Sequence, residues 1–156
     1  SSGRNVQSLI QASYETWKEG PFGKNEGEQA KTISYYEKGP VIGLLLDLTI
    51  REATSNNQSL DDVMRFLYNY YYKELNRGFT DAEFQQACER VAGKSLKSLF
   101  SYVYTPVEID YDSYLSIAGL ELIRTNDSSG KFIIQLKERK ERTSDQLEVW
   151  KGITGE

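Results

Sequence analysis

Up to Gly119 the apolar positions of this chain recur with a helical period, and beyond it they alternate with polar ones. Val6, Leu9, Ile10 and Trp17, with Ser13 in the same stripe, predict one buried face of a first helix. Residues 20–31 hold Gly, Pro, Asn and charges without periodicity and predict a loop. A second helix is predicted from Ser34, because Ser34 and Glu37 have the spacing of a capping box. Val41, Ile42, Leu44, Leu45, Leu46, Leu48 and Ile50 make this helix apolar almost all the way round, which places it at the centre of the domain. Pro40 removes one backbone donor and crowds the carbonyl of Tyr36, so the helix either begins at Pro40 or is kinked there, and the kink fits the pattern better. Asp47 and Arg51, four apart, predict a local ion pair.

A third helix is predicted from Ser59, with Asp62 three residues on and Leu60, Val63, Met64, Leu67 and Tyr71 on one face. Thr80 and Glu83 announce a fourth, with Phe84, Ala87, Cys88 and Val91 on one side and Gly93 as its C-cap. Leu96, Leu99, Phe100 and Val103 predict a fifth that stops before Pro106, and a short sixth runs from about Tyr111 to Ala118, closed by Gly119. Leu120, Leu122, Phe132, Ile134 and Leu136 then alternate around the turn-forming Asn126-Asp127-Ser128-Ser129-Gly130, which predicts a hairpin. Residues 147–150 are expected to add a third short strand. The fold class is therefore mainly α: a helical unit of about six helices over residues 1–119, followed by a small β tail over residues 120–156.

Composition narrows the chemistry. The 156 residues include no histidine and a single cysteine. No imidazole base, Ser-His-Asp triad or His-ligated metal can be built from such a chain by itself, and neither can an internal disulfide. A net charge of -4, with the basic residues dispersed among acids, argues against a nucleic-acid partner. The basic run at residues 137–142, interrupted by Glu138 and Glu141, is expected to be a solvated strand end. The apolar run at 41–46 is far shorter than the ~18 residues of a membrane span, and the polar Ser1-Ser2-Gly3-Arg4 predicts no signal peptide. A soluble globular chain is expected.

Residue chemistry alone yields no catalytic set. Tyr68, Tyr70, Tyr71 and Tyr72 fall within five positions of one helix, so one or two should pack inward and the rest stay at the surface. Cys88 lies in an apolar stripe and is expected to be a buried, inert thiol. The pairs Asp61/Asp62 and Asp110/Asp112 sit at helix starts, where capping accounts for carboxylates.

Three segments carry a resemblance. Ser34-Tyr35-Tyr36-Glu37-Lys38-Gly39, then Leu44-Leu45-Leu46-Asp47-Leu48-Thr49-Ile50-Arg51, then Ser59-Leu60-Asp61-Asp62-Val63-Met64-Arg65, closely resemble the glycyl aminopeptidase family of zinc metallopeptidases. Gly3-Arg4-Asn5-Val6-Gln7-Ser8-Leu9 with Ala12-Ser13 and Trp17, Arg90-Val91-Ala92-Gly93, and Tyr114-Leu115 with Ala118-Gly119-Leu120 are similar as well. The resemblance covers about residues 3–122 and fades in the β tail. It implies the helical C-terminal lobe of a thermolysin-like peptidase of the gluzincin clan, related to aminopeptidase N.

Zinc in that clan is held by an H-E-x-x-H helix and a glutamate upstream of the Tyr-x-Lys-Gly motif. The resemblance therefore implies that this chain holds no cofactor of its own and that the partner supplying zinc is the upstream half of the same protein. The substrate would be a peptide, the chain by itself inactive, and the β tail a possible link to the PDZ domain that family members carry. It also implies one catalytic residue, Tyr36, whose phenol would donate a hydrogen bond to the oxyanion of the tetrahedral intermediate. A phenol with pKa ~10 stays protonated near neutral pH and donates without adding charge. Tyr35 would pack beside it or line the substrate. Lys38 would orient the helix start or a carboxylate, or line the substrate cleft. Pro40 departs from the small residue usual at that place. The other readings are a helical protein-interaction module without enzymatic activity and a pseudo-peptidase scaffold.

Overall fold

Helices α1 (Leu9–Thr16) and α2 (Tyr35–Ala53) open the structure, a computed structural model that describes residues 5–17 and 32–155. They are followed by α3 (Leu60–Leu67), α4 (Asp81–Ala92), α5 (Lys97–Tyr104) and α6 (Tyr111–Ser116). Strands β1 (Leu120–Asn126) and β2 (Phe132–Glu138) form an antiparallel hairpin, and α7 (Ser144–Thr154) follows it. The fold is mainly α with a small β tail, as the pattern predicts. The loop expected over residues 20–31 lies outside the described residues.

Helix α2 is the axis of the domain. Among the described residues it packs against each of the other six α-helices, and Leu45, Leu48 and Ile50 are at most 1% exposed. Its start after Ser34 agrees with the sequence, but the predicted capping box does not form. Ser34 caps through its main-chain carbonyl, which accepts from the N–H groups of Glu37 and Lys38 at 3.2 and 3.0 Å, and its side chain makes no cap bond. The helix starts ahead of Pro40 and runs on through it. Proline sacrifices a single donor there, and burial of the apolar residues beyond it offsets the loss.

The Asp47–Arg51 pair is present, with Arg51 Nε 2.8 Å from Asp47 Oδ2. It reaches further than one helix turn. Asp47 Oδ1 accepts from the Leu60 N–H at the start of α3, and Arg51 Nη1 donates to Asn56 Oδ1, both at 2.8 Å. Asn56 Nδ2 in turn donates to the Glu148 carbonyl of α7. One ion pair thus joins three helices.

Other elements correct the sequence reading. On α1 the buried residue is Ala12, while Val6, Ile10 and Trp17 are exposed, Trp17 at 86%. The small Ala12 lets α1 approach α2 and α5, so the bulkier stripe is left outside. On α3 the capping box of Ser59 and Asp62 forms, but the buried stripe is Val63, Leu67 and Tyr71, at four-residue spacing. That phase puts Met64 on the flank, 52% exposed. The helix then widens into a π-helical turn over Tyr68–Glu74, which periodicity did not announce. The expected third strand at residues 147–150 is part of α7. Thr143 and Gln146 form a capping box there, Val149 is buried, and Trp150 and Ile153 pack on the core.

Helix α4 forms as predicted, with its Thr80–Glu83 capping box and Gly93 in the left-handed conformation at its end. Glu83 accepts from both Arg77 and the Thr80 N–H, which together hold its carboxyl down from 4.5 to about 2. A depressed carboxylate contributes stability that is complete above its unfolded pKa and is lost as pH falls through the folded one. Protection of the Thr80 amide against hydrogen exchange is therefore expected to decline between pH 4.5 and about 2, and Glu83→Gln should flatten that decline.

The hairpin pairs Leu122 with Leu136 and Arg124 with Ile134, and its turn is held by Asp127 Oδ1, which accepts from the Ser129 and Lys131 N–H groups. Gly119 turns the chain from α6 into β1 at φ +67°. A side chain there would also overlap the Arg142 methylenes, which lie across this glycine. Arg142 is thus a packed residue rather than part of a solvated strand end. Its side chain is 17% exposed and pairs with Glu138 at 2.6 Å. Gly119→Ala is expected to destabilise by about 1–3 kcal/mol, read from urea unfolding, since it combines a left-handed backbone with that overlap.

Candidate functional site

The N-terminal turns of α2 carry the three residues singled out from the sequence, and the helix separates them. Tyr35 and Tyr36 lie together, their ring centroids 4.1 Å apart and tilted by 32°. A hydrogen bond between the two phenols raises the pKa of Tyr35 above its ordinary value, with smaller contributions from burial and from its electrostatic interaction with Tyr36. Tyr36 is 73% exposed. Helical spacing puts it on the same face as Gly39, Pro40 and Gly43, and the space over both glycines is open. On the Gly39/Gly43 flank lies a cavity of about 310 Å³, lined by Leu9, Ile10 and Ser13 of α1 and by Phe84, Phe100 and Val103.

Lys38 faces elsewhere. Two residues on from Tyr36 it points about 200° round the helix, and it lines a second cavity of about 610 Å³ with Ser34, Glu37, Val41, Leu44 and Leu45. The far wall is formed by Val107 and Ile109 and by one face of the hairpin: Leu122, Arg124, Phe132, Ile134 and Leu136. Burial lowers the pKa of Lys38. Strand alternation predicted that these hairpin residues share a face, but not that the face would remain open. Phe132, Ile134 and Leu136 are each more than half exposed.

The remaining candidates are structural. Cys88 is fully buried and its thiol is pushed up to about 12 by desolvation first and by the Glu89 charge second, so it is no nucleophile near neutral pH. Of the tyrosine cluster only Tyr71 points inward, while Tyr68 stacks on Tyr72 and Tyr70 on Phe66. Asp62 and Asp110 cap helices, and Asp112 pairs with Arg124. The chain's own residues do not fit a zinc site: it has no histidine, and among the described residues no three His, Cys, Asp or Glu side chains come together. No helix among the described residues is long and apolar enough to cross a membrane. No family model matches this chain, and no curated protein or solved structure matches it, so the reading of the site rests on its own geometry and motifs.

Proposed function

We propose that this chain is the helical lobe of a zinc metallopeptidase that hydrolyses peptide bonds, and that Tyr36 stabilises the transition state. The observation that carries this is an exposed phenol in the first turn of the central helix, its ring in tilted contact with that of Tyr35, within Tyr-Tyr-Glu-Lys-Gly. In this reading the exposed hydroxyl of Tyr36 donates to the substrate, with the Tyr35 ring beside it. A preorganised neutral donor of this kind favours the oxyanion of a tetrahedral intermediate over the ground-state carbonyl, because the hydrogen bond strengthens as charge develops. The open surface over Gly39 and Gly43 leaves room for a peptide main chain to approach.

The metal, which would supply the activated water, belongs in this reading to an upstream half of the same protein. The test is direct. The residues encoded ahead of Ser1 should contain H-E-x-x-H, and joining them to this chain should yield a zinc-dependent peptidase. An upstream sequence without a metal motif would overturn the assignment.

One observation favours the interaction-module or scaffold reading instead. Ile10 and Tyr14 of α1, with Val6 just before it and Trp17 just after it, are exposed apolar residues, and exposed apolar patches mark protein contacts. The two readings separate on whether the upstream half brings activity or only binding.

A further inference from the structure

The cavity beside Lys38 has no part in the role given to Tyr36, which lies on another face of α2. Its two walls are apolar, formed by Val41, Leu44 and Leu45 on one side and by Leu122, Ile134 and Leu136 on the other, and at about 610 Å³ it has the size of a small-molecule site. The charged groups around it are not equivalent. Arg124 is paired with Asp112 at 3.1 Å, and Glu108 is engaged in an interaction of its own. Glu37 is exposed at the rim, in the first helical turn, where the helix dipole favours a carboxylate. Lys38 has none of these compensations. Its ammonium forms no ion pair or hydrogen bond with a described residue, it is half-buried against apolar side chains, and it sits at the end of the helix that disfavours a cation.

A bound anion would remove all three costs. The main chain says which kind of molecule carries it. Among the described residues β2 pairs with β1 alone, so its other edge keeps free N–H and C=O groups next to Phe132, Ile134 and Leu136. An extended peptide can use such an edge, whereas a hydrocarbon chain cannot.

We propose that this cleft binds a short apolar peptide through its free C-terminal carboxylate, with Lys38 as the cation that receives it. This does not depend on the peptidase reading, because binding to this chain requires neither a metal nor activity. Failure of either proposal leaves the other standing.

The test is a titration of the 156-residue chain, followed by amide NMR, with N-acetyl-Leu-Phe, its C-terminal amide and dodecanoate. The acid is expected to shift the amides of Lys38, Ile134 and Leu136 saturably and to bind at least about tenfold more tightly than the amide, as a charge-assisted hydrogen bond requires. Lys38→Met should bring the acid down to the affinity of the amide, Lys38→Arg should preserve the difference, and Ile134→Ser should weaken both peptides. Ile134 is 56% exposed, so that variant keeps its fold. Equal binding of acid and amide, unchanged discrimination in Lys38→Met, or shifts mapping to another face would each overturn the proposal. So would dodecanoate binding the same residues more tightly than the peptide.

Discussion

Tyr36→Phe, made in this lobe joined to a zinc-binding upstream half, is expected to lower kcat by ~10²–10³ while leaving KM nearly unchanged. The substitution removes one oxygen and keeps the ring, so the ring contact with Tyr35 at 4.1 Å persists. At 73% exposure Tyr36 contributes little packing, and the stability should stay within about 0.5 kcal/mol of the parent. On the proposed role, what is lost is a donor whose bond strengthens as the carbonyl oxygen becomes an oxyanion, so the loss falls on kcat rather than on substrate affinity. Tyr35→Phe should cost less, since on the proposed role that phenol neighbours Tyr36 and does not itself meet the substrate. Steady-state kinetics on the two variants decide the matter. An unchanged kcat for Tyr36→Phe would remove the residue from the mechanism, and a larger fall for Tyr35→Phe would exchange their roles.

The first turns of α2 show how far the sequence was legible. Its length and central position followed from apolar residues on every side, and Leu48 and Ile50 are indeed fully buried. The caps at Ser59, Thr80 and Gly93 were readable because each is a local arrangement of a few side chains. The failures share one physical cause. Val6, Met64 and Trp17 are as apolar as their buried neighbours, and whether they meet the core depends on how closely two helices approach. On α1 that was decided by the small Ala12. Residues 147–150 were misread because Leu147 and Trp150 satisfy a strand and a helix alike at so short a length, and the Thr143–Gln146 cap that breaks the tie lies outside those four positions. The site divided in the same way. The pairing of Tyr35 with Tyr36 is local, but the open face of the hairpin opposite Lys38 is produced by a tertiary arrangement that alternation does not encode.

That distinction yields the largest expected stability effect. Leu48→Ala should cost about 2–5 kcal/mol, whereas Trp17→Ala, a larger deletion of apolar surface, should stay within about 0.5 kcal/mol. A periodicity argument ranks both residues as core. The structure separates them, because Leu48 is 0% exposed on a helix that, among the described residues, touches each of the other helices, whereas Trp17 is 86% exposed at the end of α1. Removing Leu48 both gives up transferred apolar surface and leaves a void that six helices cannot close together, so relaxation recovers little of the loss. Domains of this size are held by only ~5–15 kcal/mol, so the variant should show a sharply lowered urea midpoint with an unchanged slope. The Trp17 variant should unfold with the parent. If the two midpoints fell together, α1 would have to pack through its Val6–Trp17 stripe after all, and the surface assigned here to partner contact would be part of the core.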